Sequence, residues 1–239
     1  MTSLNENRPV LKIFQELRFR LLLCFFVFIV CFFAAFYLSD SIWFFLHYPI
    51  KDIAQLELIN LTPVEAIQVD FKMAGMAALL LAAPFCFYQF YAFCAEALYP
   101  TEKSTVLFSA MASFVFFCLG IFFAFYTVLP LLLSFLAHYS SYAKALWSQE
   151  AYVSFLIRLE ISFGLIFQMP VVAAFLSKIK VIDAFFFARH FRISIFILAL
   201  LAALITPPDI FSMVFMMVPM LLLYMLTIVA NWLFAKDSV

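Results

Sequence analysis

Residues 21–38 of the chain read LLLCFFVFIVCFFAAFYL, an apolar run without a charged side chain. An α-helix rises about 1.5 Å per residue, so this run extends about 27 Å, close to the roughly 30 Å hydrocarbon core of a bilayer. The run is too long for a removable signal peptide, and no small-residue cleavage site follows it. We therefore interpret residues 21–38 as a transmembrane helix.

The composition extends this interpretation to the whole chain. Its 239 residues are 68% hydrophobic and 12% charged, with a mean hydropathy of +1.12. Soluble domains are roughly 45–50% apolar and 25% charged, and a water-soluble fold could not bury this much apolar surface. The composition predicts an integral membrane protein. The formal net charge of zero excludes a strongly basic nucleic-acid-binding surface.

Five further apolar runs predict an all-α membrane protein with six transmembrane helices in one domain, residues 1–239. The predicted spans are 21–38, 73–95, 106–136, 152–177, 193–205 and 211–234. The fifth run reaches only about 20 Å as a helix, so we expect short fifth and sixth helices that form a hairpin. Prolines at 84 and 130 are expected to bend the second and third helices.

The basic residues predict the orientation of the spans. Ten of the 14 lysines and arginines fall on the side of the N-terminus, namely Arg8, Lys12, Arg18, Arg20, Lys103, Lys178, Lys180, Arg189, Arg192 and Lys236. Cytoplasmic loops carry the excess of basic residues in membrane proteins. Both ends of the chain are therefore expected in the cytoplasm.

The sequence carries no motif for an enzyme, a metal site or a cofactor. With three glycines it lacks a phosphate-binding loop, and it has neither a GxSxG nor an HExxH motif. Its five cysteines form no CxxC pair and lie in apolar runs, where they are typical packing residues. We predict that the chain is not an enzyme and binds neither metal nor cofactor.

Four segments in order along the chain resemble one family. They are FQELRFRL (14–21), PFCFYQFYAFCAEALYPTE (84–102), FGLIFQMP (163–170) and TPPDIFS (206–212). Together they are similar to the TatC family, subunits of the twin-arginine protein translocase. The resemblance implies a concave helical bundle in the bacterial inner membrane. The chain departs from the family pattern at Tyr91, Glu96, Met213 and Met225.

The resemblance implies that the cytoplasmic face binds twin-arginine signal peptides of folded cargo, through Glu16, Arg18, Phe93 and Glu102. Carboxylates accept charge-assisted, often bidentate hydrogen bonds from guanidinium groups. Glu16 lies just before the first span and Glu102 just after the second, at adjacent helix ends. The alternative is that both acids only balance neighbouring basic residues.

The resemblance also implies a groove lined by Gln168 and a docking site for single-span TatA- and TatB-type subunits. The docking site is the hairpin turn formed by Thr206, Pro207, Pro208 and Asp209. The expected assembly is a multimeric complex that exports folded proteins by means of the proton-motive force.

Two charges in the fourth span leave alternatives open. Arg158 and Glu160 are two positions apart, so they do not face each other on a helix. Charged residues at this depth face protein or water and pair with other groups. Each could form an ion pair with another helix or take part in transport.

Three other functions compete with protein translocation. A secondary transporter of a small solute is the main alternative, although the chain lacks repeated halves with matching broken helices. An intramembrane hydrolase would need a catalytic motif that the sequence does not contain. A purely structural membrane subunit is the third possibility.

Overall fold

The structure is a computed structural model that describes residues 8–50, 56–95, 103–139, 145–179, 181–183, 185–205 and 210–236. In these ranges the chain is almost entirely helical. The helices are α1 (Arg8–Tyr37), α2 (Ser39–Leu46), α3 (Glu65–Ala95), α4 (Lys103–Phe123), α5 (Leu129–Tyr139), α6 (Gln149–Ile166), α7 (Met169–Lys178), α8 (Phe186–Arg189), α9 (Phe191–Ile205) and α10 (Ile210–Lys236). Two short strands, β1 (Leu56–Ile59) and β2 (Ala145–Ser148), pair in parallel.

Long apolar helices dominate the described ranges. Five segments are long and apolar enough to cross a membrane: Ile13–Tyr37, Glu65–Cys94, Leu107–Ala137, Gln149–Lys178 and Met213–Trp232. A sixth apolar helix, Phe191–Ile205, is shorter. Each of the six predicted spans overlaps one of these segments. The mostly helical membrane fold is confirmed, while the count of six crossings stays a prediction.

The prediction of a short fifth helix and a short sixth helix is half right. Helix α9 has 15 residues, but α10 has 27, so the sixth helix is not short. Pro219 lies inside α10 without ending it. Near the end of α10 the buried Asn231 donates a hydrogen bond from Nδ2 to the carbonyl of Asp183, at 3.0 Å. This bond holds the last turns of the helix against the segment before α8.

The third apolar run changes its helical geometry near Pro130. A π-helical turn, Ala124–Val128, connects α4 to α5. Proline lacks an amide hydrogen, and its ring displaces the carbonyl four residues earlier, which here belongs to Tyr126. A π turn accommodates this mismatch without ending the helix. Pro84, in contrast, lies within the continuous helix α3.

The helices differ strongly in how much of their surface is covered. Helix α1 packs chiefly against α3, and only 6% of the residues in its most apolar stretch are buried. In the most apolar stretch of α6 and α7, 56% of the residues are buried, because α3, α4, α9 and α10 surround these helices. Large apolar side chains on the outer faces, such as Phe25, Phe26 and Phe33 on α1, are exposed. This surface is suited to lipid rather than water.

The most deeply buried side chains form a core around α6. Leu156, Leu159 and Phe163 of this helix are fully buried. On one side they meet Met216, Met220 and Tyr224 of α10, and on the other they meet Phe125 and Leu129. Helix α6 therefore lies at the centre of the bundle, and the other helices pack against its side chains.

Candidate functional site

The predicted signal-binding acid Glu16 lies in the first half of α1 and is half-buried. Arg20, one helical turn later, donates from Nε to Oε1 of Glu16 at 2.7 Å. The same guanidinium donates from Nη1 to Oε1 of Gln89 on α3, at 2.9 Å. These three side chains connect the N-terminal half of α1 to the C-terminal half of α3. They form a site in which a carboxylate already holds a guanidinium group.

The other predicted signal-binding residues lie around the same end of the bundle or outside the described residues. Arg18 is exposed on α1. Phe93 is half-buried near the end of α3, one turn beyond Gln89. Glu102 lies outside the described residues, directly before the first residue of α4. The roles of these residues in signal binding stay predictions.

Gln168 is buried at the turn between α6 and α7, with 9% of its surface exposed. Its Nε2 donates to the carbonyl of Ser113 on α4 at 3.0 Å, and its Oε1 has no hydrogen-bond partner among the residues that the structure describes. The hydroxyl groups of Ser113 and Tyr91 lie 2.9 Å apart, so α3, α4 and the α6–α7 turn share one polar cluster. The groove-lining role of Gln168 stays a prediction.

The two charges of the fourth span have opposite environments. Arg158 is exposed on α6, whereas Glu160 is 5% exposed. Neither side chain makes an ion pair with another helix in the part of the chain that the structure describes. Glu160 instead lines a cavity of about 560 Å³ together with apolar side chains. The structure thus places a carboxyl group inside the bundle.

A polar network that the sequence analysis missed joins the starts of α3 and α6. Buried Glu65 accepts backbone hydrogen bonds from Leu61 at 2.6 Å, Thr62 at 3.2 Å and Glu150 at 2.9 Å, and it also accepts the hydroxyl of Ser148. The pattern Thr62-x-x-Glu65 is a capping box, in which the glutamate satisfies the amide of the first capping residue. This local signal could have located Glu65 from the sequence.

An ion pair between α3 and α6 lies beside the same network. The ammonium group of Lys72 on α3 pairs with the carboxylate of Glu150 on α6 and donates to Ser154 at 2.7 Å. Strands β1 and β2 pair directly beside this network, from Leu56 with Ala145 to Ile59 with Ser148. The two connections between helices are thus held together by backbone and side-chain hydrogen bonds.

Two other predictions concern the hairpin and metal binding. Thr206, Pro207, Pro208 and Asp209 lie outside the described residues, between the ends of α9 and α10. Among the residues with described positions, no cluster of three or more histidine, cysteine or acidic side chains is placed to hold a metal ion. The docking role of the hairpin stays a prediction.

Comparisons with known proteins agree over nearly the whole chain. The family model described as "Sec-independent protein translocase protein (TatC)" matches residues 12–219. The chain is 36% identical to the TatC protein of Helicobacter pylori over 90% of its own length and 83% of the relative. It is 34% identical to the TatC protein of Aquifex aeolicus, covering 92% of this chain and 93% of the relative.

The chain is also similar to a solved structure, and this similarity again covers most of its length. The crystal structure of a twin-arginine translocase receptor, TatC, superposes with a TM-score of 0.85 at 34% identity, covering 93% of this chain and 99% of the solved chain. The resemblance inferred from the four sequence segments is thereby confirmed. The chain belongs to the TatC family, and it is a multi-pass bacterial inner-membrane component of the Tat protein translocase rather than an enzyme.

Proposed function

We propose that this chain is the receptor subunit of its translocase and binds twin-arginine signal peptides at its cytoplasmic face. The observation that carries the proposal is the Glu16–Arg20–Gln89 contact. A carboxylate that already accepts a guanidinium hydrogen bond has the chemistry needed for an arginine of a signal peptide. The similar solved chain is named a translocase receptor, which supports the same role here.

The position of these side chains fits a docking surface at one end of the bundle. Glu16 lies five residues before the predicted first span, and Phe93 lies at the end of α3. Glu102 follows α3 in sequence by seven residues and immediately precedes α4. Glu16 in the first half of α1 and Glu102, which precedes α4 in the sequence, would bind two consecutive guanidinium groups, while Phe93 would contact the apolar part of the signal.

The proposal includes the topology and the partners. All six predicted spans cross the membrane as one domain, with both ends of the chain in the cytoplasm. Single-span TatA- and TatB-type subunits dock at residues 206–209, where two consecutive prolines have no amide hydrogen to donate to a helix. The proton-motive force then drives export of the folded cargo through the assembled complex.

Peptide binding to the full chain in lipid nanodiscs tests the receptor role. The probes are a signal peptide with two consecutive arginines and the same peptide with two lysines. We expect Glu16→Gln or Glu102→Gln to weaken arginine-peptide binding about ten- to a hundred-fold, because each change removes a charge-assisted hydrogen bond of roughly 1.5–3 kcal/mol. Equal binding by the wild type and both variants would contradict the proposal.

Glu57→Gln is the matched control, because it removes an exposed acid from β1. Strand β1 precedes the start of α3, whereas Gln89 lies 24 residues after that start, about 36 Å along the helix. The control variant should bind the arginine peptide as the wild type does. Membrane levels of every variant are compared by immunoblot, so that loss of binding is not confused with loss of protein.

A further inference from the structure

An open-sided cavity of about 560 Å³ is lined by residues of α1, α2, α3, α4, the π-helical turn and α6. Its walls are nearly all apolar, with side chains such as Met73, Met76, Leu80 and Phe125. Ligand sites in proteins are commonly apolar cavities of roughly 300–1,000 Å³ with a few polar groups that fix the ligand's orientation. The volume and the lining are therefore those of a binding site for an apolar group.

Among the described residues that line this cavity, Glu160 is the only acidic one. It is 95% buried, since 5% of its surface is exposed. In the described part of the chain its carboxyl group has neither a hydrogen-bond nor an ion-pair partner. Polar groups buried in proteins are normally hydrogen-bonded, so a carboxyl group that faces a cavity without a partner indicates a partner supplied by an occupant.

The depth of Glu160 limits what that occupant can be. Glu150, ten residues earlier on α6, is ion-paired with Lys72 beside the connections between helices. Ten helical residues correspond to about 15 Å, half of the roughly 30 Å hydrocarbon core. The polar groups of a lipid remain at the membrane surface and cannot reach this depth, whereas a peptide segment can carry a polar side chain at any depth.

The nearest cation in sequence does not satisfy Glu160. Arg158 is exposed, and residues two positions apart do not face each other on a helix. Tyr152, a buried residue two helical turns earlier on α6, uses its hydroxyl to donate to the carbonyl of Leu46 at 2.8 Å. The described chain thus offers the Glu160 carboxyl group neither a cation nor a donor, and an occupant of the cavity could supply one.

We propose that the cavity receives an apolar peptide segment carrying one hydrogen-bond donor, and that Glu160 accepts the hydrogen bond from this donor. The inference rests on the proposed function, since the segment would be the apolar part of a bound signal peptide. Glu160 then selects among signals, because an apolar segment with a donor at the matching position binds more tightly than one without. It adds a specificity-determining residue inside the membrane to the recognition of arginines at the surface.

The test uses the full chain in lipid nanodiscs and synthetic peptides with two arginines followed by a leucine- and alanine-rich segment. One peptide has only apolar residues in this segment, and the others place a single asparagine at successive positions. We expect the best asparagine peptide to bind about three- to thirty-fold more tightly than the apolar peptide. This is the gain in affinity that one hydrogen bond within a bilayer provides. Equal binding of all the peptides would overturn the inference.

Two variants assign the preference to Glu160. Glu160→Leu should abolish the preference for asparagine, whereas Arg158→Leu removes an exposed charge from the same helix and should preserve it. In both variants the preference for two arginines over two lysines should persist. Loss of the arginine preference in the wild type would refute the proposed function instead, so the two failures are distinguishable.

Photocrosslinking locates the bound peptide in the wild-type protein, so this test does not depend on whether Glu160→Leu folds. A photoreactive leucine next to the asparagine should crosslink in the wild type to cavity residues, above all Met73, Met76 and Cys118. Crosslinks confined to the outer faces of the helices would mean that lipid or another group fills the cavity. That outcome, or an asparagine preference that survives in Glu160→Leu, would contradict the inference.

Discussion

At the scale of single residues, the three glycines of the chain have very different surroundings. A Cβ atom at Gly120 would lie 2.8 Å from the carbonyl oxygen of Phe163 and 3.0 Å from the Cβ of Phe167. A Cβ atom at Gly164 would lie 2.7 Å from the ring of Phe117. At Gly75 no atom of the described residues lies within 4 Å of that position. Gly120 and Gly164 therefore permit the close approach of α4 and α6, whereas Gly75 does not serve such a contact.

This contrast predicts opposite outcomes for one chemical change. Gly120→Ala should lower the free energy of unfolding by about 1–3 kcal/mol, because its methyl group meets a backbone carbonyl that cannot move aside easily. Gly75→Ala should leave the stability unchanged or raise it by up to about 1 kcal/mol, since alanine favours the helix. Thermal unfolding of both variants in the same detergent measures the difference. If Gly120→Ala is as stable as Gly75→Ala, the close packing of α4 against α6 is wrong.

At the scale of elements, α3 and α6 are joined at their first turns by more than apolar packing. Glu65 satisfies the amides of its own helix start and also accepts from the amide of Glu150 and the hydroxyl of Ser148. One side chain thus caps α3 and holds the start of α6. The paired strands β1 and β2 extend this link into the two connections, so the helix starts move together.

Removal of Glu65 should loosen this link without unfolding the bundle. In Glu65→Ala the four donors lose their acceptor, so amide hydrogen exchange in β1 and β2 should become faster and Tm should fall. Glu57→Ala is the control, because Glu57 is an exposed acid on β1 itself. Exchange rates are compared by mass spectrometry in nanodiscs. Equal exchange in Glu65→Ala and the control would show that the carboxylate is not what joins the two elements.

At the scale of the whole molecule, the bundle has a buried centre and a widely exposed apolar surface. Helices α6 and α7 are surrounded, while α1 is attached mainly to α3. Family membership favours protein transport over the alternative of a small-solute transporter. The basic residues predict that both chain ends share the cytoplasmic side, and this orientation stays a prediction.

Cysteine labelling on whole cells tests this topology. All five native cysteines are replaced by alanine, and single cysteines are introduced as Arg8→Cys, Asn60→Cys and Lys236→Cys. A membrane-impermeant maleimide added outside the inner membrane should label only position 60, because the other two positions are predicted to face the cytoplasm. Labelling of all three positions after membrane disruption is the control. Labelling at both 60 and 236 in intact cells would contradict the six predicted crossings.

The sequence alone determined the class of this protein and the approximate positions of its helices. Long apolar runs are local features, and a bilayer of fixed thickness translates their length directly into membrane spans. The family could be identified in the same way, because the segments 14–21, 84–102, 163–170 and 206–212 retain their order along the chain. The bounds of α10, Ile210–Lys236, agree with the predicted span 211–234 to within two residues, so only the description of this helix as short was wrong.

Only the tertiary structure decided which polar side chains meet. Arg20 and Gln89 are 69 positions apart, and Glu65 is 85 positions from Glu150, so no local pattern connects either pair. The sequence indicated that Glu160 was costly in a membrane, but not whether it faced an ion pair or a cavity. Hydropathy is a property of each segment taken alone. Contacts between helices depend on how the helices are rotated and how far apart they lie, and the packing of the whole bundle determines both.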